Sequence, residues 1–375
     1  MEDKLSLEIP QNLLPKDKRF GSGPSKVRLE ALESLYKTGT SFMGTSHRQP
    51  GVKNVIAEIK TGLKELFNLP DDYEILLGNG GATAFWDAAS FCLIEKKSQH
   101  LVFGEFSSKF AEVVKNAPHL DEPDIIASPY GTHPDFKAAD NIDFYALTEN
   151  ETSTGVYMEV IRPKGALANA LVAVDATSSA GAIAVDPKQF DVYYFSPQKC
   201  FSSDGGLFLA IVSPLAIQRI NTITSSRWCP PFLDLKIALD NSRQNQTYNT
   251  PALATLWLLK DQINWILQNG GLNWAFQRVK RSSEIIYTWA ENSEFAEPFV
   301  KNVSERSPVV TTIDFIDPVD AKQIALILRT NGILDVEPYR KLGRNQLRIA
   351  VFPSVDPEDV SLLLGCINYI VGALY

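Results

Sequence analysis

The chain has 375 residues, 45% of them hydrophobic and 21% charged, which is enough apolar material for a large core and, at this length, for two domains. Its net charge of −8 argues against a nucleic-acid partner, which would need a basic face, although a local arginine cluster could still bind a small anion. No apolar run reaches the ~20 residues that cross a bilayer, and residues 1–20 lack a secretory signal, so we expect a cytoplasmic protein without membrane contact.

Short strand-like segments alternate with helical ones between residues 26 and 265. The apolar runs that we predict as strands are 73–79, 100–106, 142–148, 171–175, 192–196 and 206–212. Most of them are continuously apolar, which is typical of parallel strands covered by helices on both faces. A helix is predicted over 82–97, directly after the first strand. This order indicates an α/β domain whose mostly parallel sheet is flanked by helices.

The C-terminal part of the chain has a different pattern. A long helical segment, 252–292, is interrupted near Gly270 and Gly271. The chain then reads strand, helix, strand and helix, which predicts a compact α+β unit. We therefore predict a large domain over 26–265 and a small C-terminal domain over 266–375. Residues 1–25 form an irregular N-terminal segment that either stands apart or joins the small domain.

Three features of the large domain point to chemistry. The glycine-rich turn GNGGATAF (78–85) lies between a strand and a helix, where backbone N–H groups can bind a phosphate. Asp175 ends an apolar strand, so its carboxylate is expected at the sheet edge where ligands bind. Lys199 follows the next strand. Together they predict pyridoxal phosphate, with the lysine amine as Schiff-base partner of the aldehyde and the aspartate paired with the pyridine nitrogen.

Each feature alone has an alternative interpretation. The turn could belong to a nucleotide-binding oxidoreductase, with Glu105 at a suitable distance for a ribose. An aspartate at a strand end is often an N-cap, and a lysine followed by polar residues is often solvated. The ordered combination favours pyridoxal phosphate, because the nucleotide interpretation gives Asp175 and Lys199 no purpose.

Seven motifs carry a resemblance that covers nearly the whole chain. They are RFGSGPSKVR (19–28), GTSHRQPGVKN (44–54), LGNGGATAFWDAA (77–89), NETSTGV (150–156), FSPQKCFSSDGG (195–206), NQTYNTPA (245–252) and EPYRKLGRNQLRIA (337–350). In these motifs the chain resembles the phosphoserine aminotransferases, in the form found in actinobacteria, which are class-V aminotransferases of pyridoxal-phosphate fold type I. The resemblance implies amino transfer from L-glutamate to 3-phosphohydroxypyruvate, giving O-phospho-L-serine and 2-oxoglutarate in serine biosynthesis. It also leaves a role in pyridoxine biosynthesis open.

The resemblance implies which residues surround the cofactor ring. Lys199 matches the Schiff-base lysine, and Asp175 matches the partner of the pyridine nitrogen. Thr152 would reach the ring hydroxyl. Phe106 stands where many members have a tryptophan stacked on the ring, and its flat apolar face should serve the same purpose.

The resemblance also implies how the cofactor phosphate is bound. Ala82 and Thr83 would bind it through the glycine-rich turn, and Gln198 would add a contact. Asn249 and Thr250 resemble the pair that a second subunit offers to the phosphate. A homodimer with shared active sites is therefore expected.

The substrates have two anionic ends, so the site needs several cations. The SHR motif supplies His47 and Arg48, and the C-terminal part supplies Arg340, Arg344 and Arg348. Arg348 resembles the arginine that binds the α-carboxylate. The family's His-Arg pair has no clean match near it, which leaves the phosphate-side residues open.

Two other fold-type I reactions remain alternatives. A cysteine desulfurase needs a mobile catalytic cysteine, but Cys200, Cys229 and Cys366 lie on no obvious glycine-rich loop. A serine–pyruvate type aminotransferase would not need the second group of cations. The dispersed cysteines and histidines predict neither a metal site nor a disulfide framework.

Overall fold

The computed structural model describes residues 7–375, which form a large α/β unit and a smaller C-terminal unit. Its helices are α1 (Leu29–Lys37), α2 (Pro50–Leu66), α3 (Gly81–Cys92), α4 (Glu105–Lys115), α5 (Pro214–Thr224), α6 (Leu235–Arg243), α7 (Leu253–Gln268), α8 (Gly271–Glu291), α9 (Ala321–Thr330) and α10 (Pro357–Leu374). Its strands are β1 (Glu74–Asn79), β2 (Ser98–Val102), β3 (Asp124–Ala127), β4 (Phe144–Thr148), β5 (Asn150–Glu151), β6 (Val156–Tyr157), β7 (Leu171–Asp175), β8 (Val192–Phe195), β9 (Leu207–Val212), β10 (Ala296–Pro298), β11 (Val310–Phe315) and β12 (Gln346–Ala350).

The central sheet has seven strands in the order β1-β9-β8-β7-β4-β2-β3. Strand β9 is antiparallel to both of its neighbours, and the other six strands run in one direction. The carboxyl ends of β1, β4, β7 and β8 therefore meet at one edge of the sheet. This arrangement confirms the predicted mostly parallel sheet flanked by helices, and it places Asp175 and the segment before Lys199 side by side.

The continuous apolar runs are explained by two cores, one on each face of the sheet. In β1, Ile75 and Leu77 pack with α2 and α7, whereas Leu76 packs with α3, α5 and α6. Because neighbouring side chains point to opposite faces, a strand covered on both sides needs apolar residues at every position. One predicted strand was too long: β2 ends at Val102, and Glu105 already begins α4, because the chain turns at Gly104.

The C-terminal unit has its own core around the antiparallel sheet β10-β11-β12. Ile9 and Phe20 of the N-terminal segment pack into this core. Helix α8 contributes to both units, since Leu272 packs in the large core and Ile286 in the small one. The N-terminal segment thus packs with the small unit.

One helix among residues 7–375, α10, is long and apolar enough to cross a membrane by length and composition. Half of it is buried inside the fold. Leu363, Ile367 and Ile370 are completely buried in the small core, and the helix packs against α8 and α9. Its apolar character is therefore that of a core helix.

Candidate active site

A cavity of about 350 Å³ opens at the carboxyl edge of the parallel strands, beside β12. Eight of the fourteen predicted site residues line it, namely Ala82, Thr83, Phe106, Thr152, Asp175, Gln198, Lys199 and Arg348. The first seven come from loops and element ends of the large unit, and Arg348 comes from the small one. A volume of this size is typical of sites for small molecules and cofactors.

Lys199 lines the cavity and is 6% exposed. Its Nζ donates a hydrogen bond to Thr152 Oγ1 at 2.6 Å and lies 5.1 Å from the ring centre of Phe106. Burial lowers the pKa of the amine from its ordinary 10.5 to about 8, and Asp175 opposes this shift only in part. A lysine with a lowered pKa has a larger neutral fraction near neutral pH, which a nucleophile or proton carrier requires.

Asp175 is the last residue of β7 and is 5% exposed. Its Oδ1 accepts a hydrogen bond from Thr177 N at 3.0 Å, and its Oδ2 accepts one from Trp86 Nε1 at 3.3 Å. These two donors orient the carboxylate towards the cavity and leave lone pairs for a further partner. A buried carboxylate in this position favours a cationic or N–H-bearing ligand atom.

The glycine-rich turn brings the N-terminus of α3 to the same cavity. Gly80 has φ 108° and Gly81 has φ 79°, a left-handed conformation in which glycine avoids the strain of a side chain. Ala82 N donates to Ser196 Oγ at 2.7 Å, which fixes the turn against the end of β8. Thr83 also lines the cavity. A helix N-terminus with exposed backbone N–H groups and a hydroxyl is suited to bind a phosphate.

Several buried polar atoms of the cavity wall have no hydrogen-bond partner within residues 7–375. They are Ser22 Oγ, Asn150 Oδ1, Thr177 Oγ1, Gln198 Oε1 and Arg348 Nε. Buried polar groups in proteins are normally paired, so unpaired groups around one cavity indicate a ligand with several polar substituents. The aromatic faces of Phe106 and Trp86 add an apolar wall. These residues fit a flat, phosphorylated and hydroxylated pyridine such as pyridoxal phosphate.

Arg348 brings a cation to the side of the cavity formed by the small unit. Its Nη1 donates to the Thr152 carbonyl at 3.1 Å, and its guanidinium lies 5.2 Å from the ring centre of Tyr339. The Tyr339 ring in turn contacts Phe106 edge-on at 5.9 Å between centres. Arg348 can therefore bind a carboxylate next to Lys199.

Four other predicted residues lie together in a second place, outside the cavity lining. We name this the SHR–TYNTP patch: His47, Arg48, Asn249 and Thr250. Thr250 Oγ1 is 3.3 Å from His47 Nδ1, and Arg48 Nη1 donates to Gln246 Oε1 at 2.7 Å. Arg48, Asn249 and Thr250 are exposed. The patch presents cationic and amide groups to solvent instead of to the chain's own cavity.

The last two predicted residues, Arg340 and Arg344, also lie outside the cavity lining. Arg340 is exposed on a short 3₁₀ turn. The guanidinium of Arg344 pairs with the Asp314 carboxylate and lies over the Phe299 ring. This placement gives no support to the prediction that Arg344 binds substrate, because its charge is already used within the small unit.

The sequence interpretation missed several residues of the cavity wall. They are Ser22, Trp86, Thr148, Asn150, Thr177, Ser196 and Tyr339. Most stand inside or beside the motifs quoted above, so membership of a motif was the available signal. Their residue types are common in solvent-exposed or core positions, and only the fold gives them a shared purpose.

Comparisons with known proteins identify the family of the chain. Residues 22–335 match the model of the aminotransferase class-V family. The chain is 56% identical over 367 residues to phosphoserine aminotransferase of Rhodococcus jostii, covering 98% of both chains, and 53% identical over 371 residues to that of Nocardioides sp., covering 98% and 99%.

A solved structure, phosphoserine aminotransferase from Cytophaga hutchinsonii, superposes with a TM-score of 0.85 at 26% identity, covering 94% of this chain and 99% of the other. The nucleotide-binding oxidoreductase is thereby excluded as an alternative. The chain belongs to the class-V aminotransferase family and, within it, to the phosphoserine aminotransferases.

Proposed function

We propose that amino transfer between L-glutamate and 3-phosphohydroxypyruvate takes place in the cavity around Lys199, with pyridoxal phosphate as cofactor. The products are O-phospho-L-serine and 2-oxoglutarate, and the reaction serves serine biosynthesis in the cytoplasm. One observation carries the proposal: a buried lysine amine, a buried carboxylate, an aromatic face and a helix N-terminus line one cavity.

When bound, pyridoxal phosphate supplies an aldehyde that takes up the amino group and a ring that accepts electrons. The chain's own residues hold it. The N-terminus of α3, with Ala82 and Thr83, binds the phosphate, and Asp175 keeps the ring nitrogen protonated through its charge. Thr152 offers a hydroxyl to the ring, while Phe106 covers one face and excludes water from it.

Lys199 is the proton carrier. Its neutral amine accepts the proton from the substrate Cα. The resulting ammonium then donates a proton to the carbon on the cofactor side of the amino nitrogen. A pKa of about 8 suits both steps, because neither protonation state is strongly favoured near neutral pH. The Thr152 hydroxyl, 2.6 Å from Nζ, holds the amine in place between the two steps.

The pH dependence of Lys199 is a direct test of this environment. In the cofactor-free protein, only the neutral amine reacts with acetic anhydride, so labelling should be half-maximal near pH 8 and fall as the pH drops below it. Mass spectrometry after competitive labelling measures the acetylated fraction of Lys199 at each pH. Lys341, whose pKa is raised by Glu105, is the internal control and should keep gaining reactivity at higher pH. A Lys199 midpoint near the ordinary 10.5 would contradict the assignment.

Arg348 binds the α-carboxylate of both amino-acid substrates. Replacing Arg348 with alanine should raise KM for glutamate and for phosphoserine roughly ten- to hundredfold, because a charge-assisted pair contributes ~1.5–3 kcal/mol. Arg344→Ala is the matched control: its guanidinium is engaged by Asp314, so KM should stay within about twofold. Steady-state kinetics separate the two variants. If the two variants changed KM equally, the α-carboxylate of the substrate would bind somewhere other than at Arg348.

The SHR–TYNTP patch supports a homodimer with shared sites. His47 and Arg48 lie beside Asn249 and Thr250, and none of them lines the chain's own cavity. Its exposed members, Arg48, Asn249 and Thr250, suit the phosphate ends of a cofactor and a substrate. We therefore propose that the patch of one chain completes the cavity of the second chain.

The substrate assignment is tested by the visible absorption of the protein loaded with pyridoxal phosphate. Adding phosphoserine should bleach the visible band, and adding 2-oxoglutarate should restore it. Serine and alanine at the same concentration should have little effect, because they lack the second anionic end. A protein that responds equally to alanine would instead be a serine–pyruvate type aminotransferase.

A further inference from the structure

The NETSTGV motif contains a carboxylate that the mechanism above does not use. Glu151 is 0% exposed. Its Oε2 accepts hydrogen bonds from Phe106 N at 3.1 Å and Ser107 N at 2.9 Å, and its Oε1 accepts from Ser153 N at 3.1 Å and Ser153 Oγ at 2.7 Å. A buried charge with this many donors has a defined orientation, since losing any one donor is costly.

These donors include the first turn of α4. The helix follows Gly104, which has no side chain to cap it. Glu151 instead accepts from Phe106 N and Ser107 N, and Ser153 Oγ accepts from Glu105 N at 3.0 Å. The negative charge also interacts favourably with the helix dipole. A Cβ at position 104 would lie 2.2 Å from Glu151 Cγ, so glycine leaves the room that this cap needs.

The same carboxylate is linked to two groups of the active site. Phe106, whose N–H it accepts, is the second residue of α4 and faces the cavity with its ring. Thr152 lies between the two capping residues, Glu151 and Ser153, and accepts the hydrogen bond from Lys199. A shift of the Glu151 carboxylate would therefore move the aromatic wall and the Thr152 hydroxyl together.

We propose that Glu151 is a positioning residue for amino transfer. It sets the Phe106 ring over the cavity and holds Thr152 against Lys199. The proposal rests on the proposed function, because it assumes that the cofactor ring binds beneath Phe106. The competing explanation is that the cap only stabilises α4.

A second carboxylate that accepts backbone donors, half-buried instead of fully buried, provides a control. Asp143 accepts the backbone N–H groups of Glu95, Lys96 and Lys97 at 2.8, 2.7 and 2.8 Å. It binds three backbone donors, as Glu151 does, but lies outside the cavity lining. It also pairs with Arg219, so its loss should cost at least as much stability. Any effect that Glu151→Gln has and Asp143→Asn lacks is specific to the active site.

The experiment compares Glu151→Gln, Asp143→Asn and the wild-type protein. We measure the thermal midpoint, the dissociation constant of pyridoxal phosphate, the visible circular dichroism of the loaded protein, kcat and KM. Both variants should lose thermal stability. Glu151→Gln alone should bind the cofactor about tenfold more weakly, change the visible dichroism and lower kcat roughly ten- to hundredfold with little change in KM, since displacements near 1 Å at a reacting centre have effects of this size.

The proposed route through Phe106 is tested by a double-mutant cycle. If Glu151 acts through the ring, Glu151→Gln should have little further effect on cofactor affinity in a Phe106→Ala background. Additive effects would overturn this route. If Glu151→Gln does not fold, Ser153→Ala removes one hydroxyl donor and should shift the affinity and dichroism in the same direction by less.

Wild-type cofactor affinity and dichroism in a folded Glu151→Gln variant would overturn the positioning role and leave a structural cap. The same result in Ser153→Ala would overturn it if Glu151→Gln is unfolded. Failure of the wild-type protein to bind pyridoxal phosphate would instead refute the proposed function, so the two failures are distinguishable.

Discussion

Lys199→Ala protein is expected to lose amino transfer almost completely, with kcat lowered roughly a thousandfold or more. In the proposed mechanism, the variant lacks both the amine that bonds to the cofactor aldehyde and the group that moves the proton. The assay is the conversion of phosphoserine and 2-oxoglutarate at saturating pyridoxal phosphate. The cofactor should still bind, though more weakly, because Asp175 and the N-terminus of α3 are unchanged.

Two further variants make this result specific. Lys199→Arg keeps a cation at the site but cannot become neutral, so it should be as inactive as the alanine variant. Lys115→Ala removes an exposed lysine of α4 outside the cavity and should remain fully active. Turnover of Lys199→Ala near the wild-type rate would show that another residue carries the proton.

Mixing two inactive variants is expected to restore activity if the sites are shared. In the proposed dimer, Lys199→Ala damages the cavity of its own chain, whereas the double variant His47→Ala/Arg48→Ala damages only the patch that would complete the other chain's cavity. In a mixed dimer, one of the two cavities is then intact. After subunit exchange at equal concentrations, about half of the dimers are mixed, and roughly a quarter of the wild-type activity should return.

The matched control is a mixture of Lys199→Ala and Asp175→Ala. Both residues line the same cavity of the same chain, 24 positions apart in sequence. Every mixed dimer then has two damaged cavities, and no activity should return. Recovery in this control, or its absence in the first mixture, would contradict a patch that acts across the dimer.

The layout of the large unit followed from local patterns. The apolar runs at 171–175 and 192–196 predicted buried parallel strands, and both are strands in the central sheet. Such runs are reliable because a strand covered on both faces tolerates no polar position in its middle. The prediction of a strand over 100–106 was too long, because Phe106 at its end is apolar as a residue of α4 and of the cavity wall and not as part of β2.

That Asp175 and Lys199 line one cavity was also predictable. Asp175 and Lys199 stand at or just after strand ends, and parallel strands bring such positions to one edge. The glycine-rich turn at 78–85 predicted a helix N-terminus, and α3 begins there. These are short-range signals, in which each residue's role depends on its immediate neighbours in the chain.

The placement of the cations depended on tertiary structure. Arg344 and Arg348 are four residues apart in one motif, yet Arg348 lines the cavity and Arg344 pairs with Asp314. No local pattern separates them, because the difference arises from how β12 pairs with β11.

The sequence by itself determined which chemical groups stand at the ends of the strands. They are a turn suited to a phosphate, an aspartate and a lysine at successive strand ends, and the motifs of the family surround them. Only the tertiary structure decided which side chains share the cavity and that Glu151 caps α4 beneath Phe106. The physical reason is range. Periodicity and turn chemistry act over a few residues, whereas a buried charge finds its donors 45 positions away, where the fold brings them together.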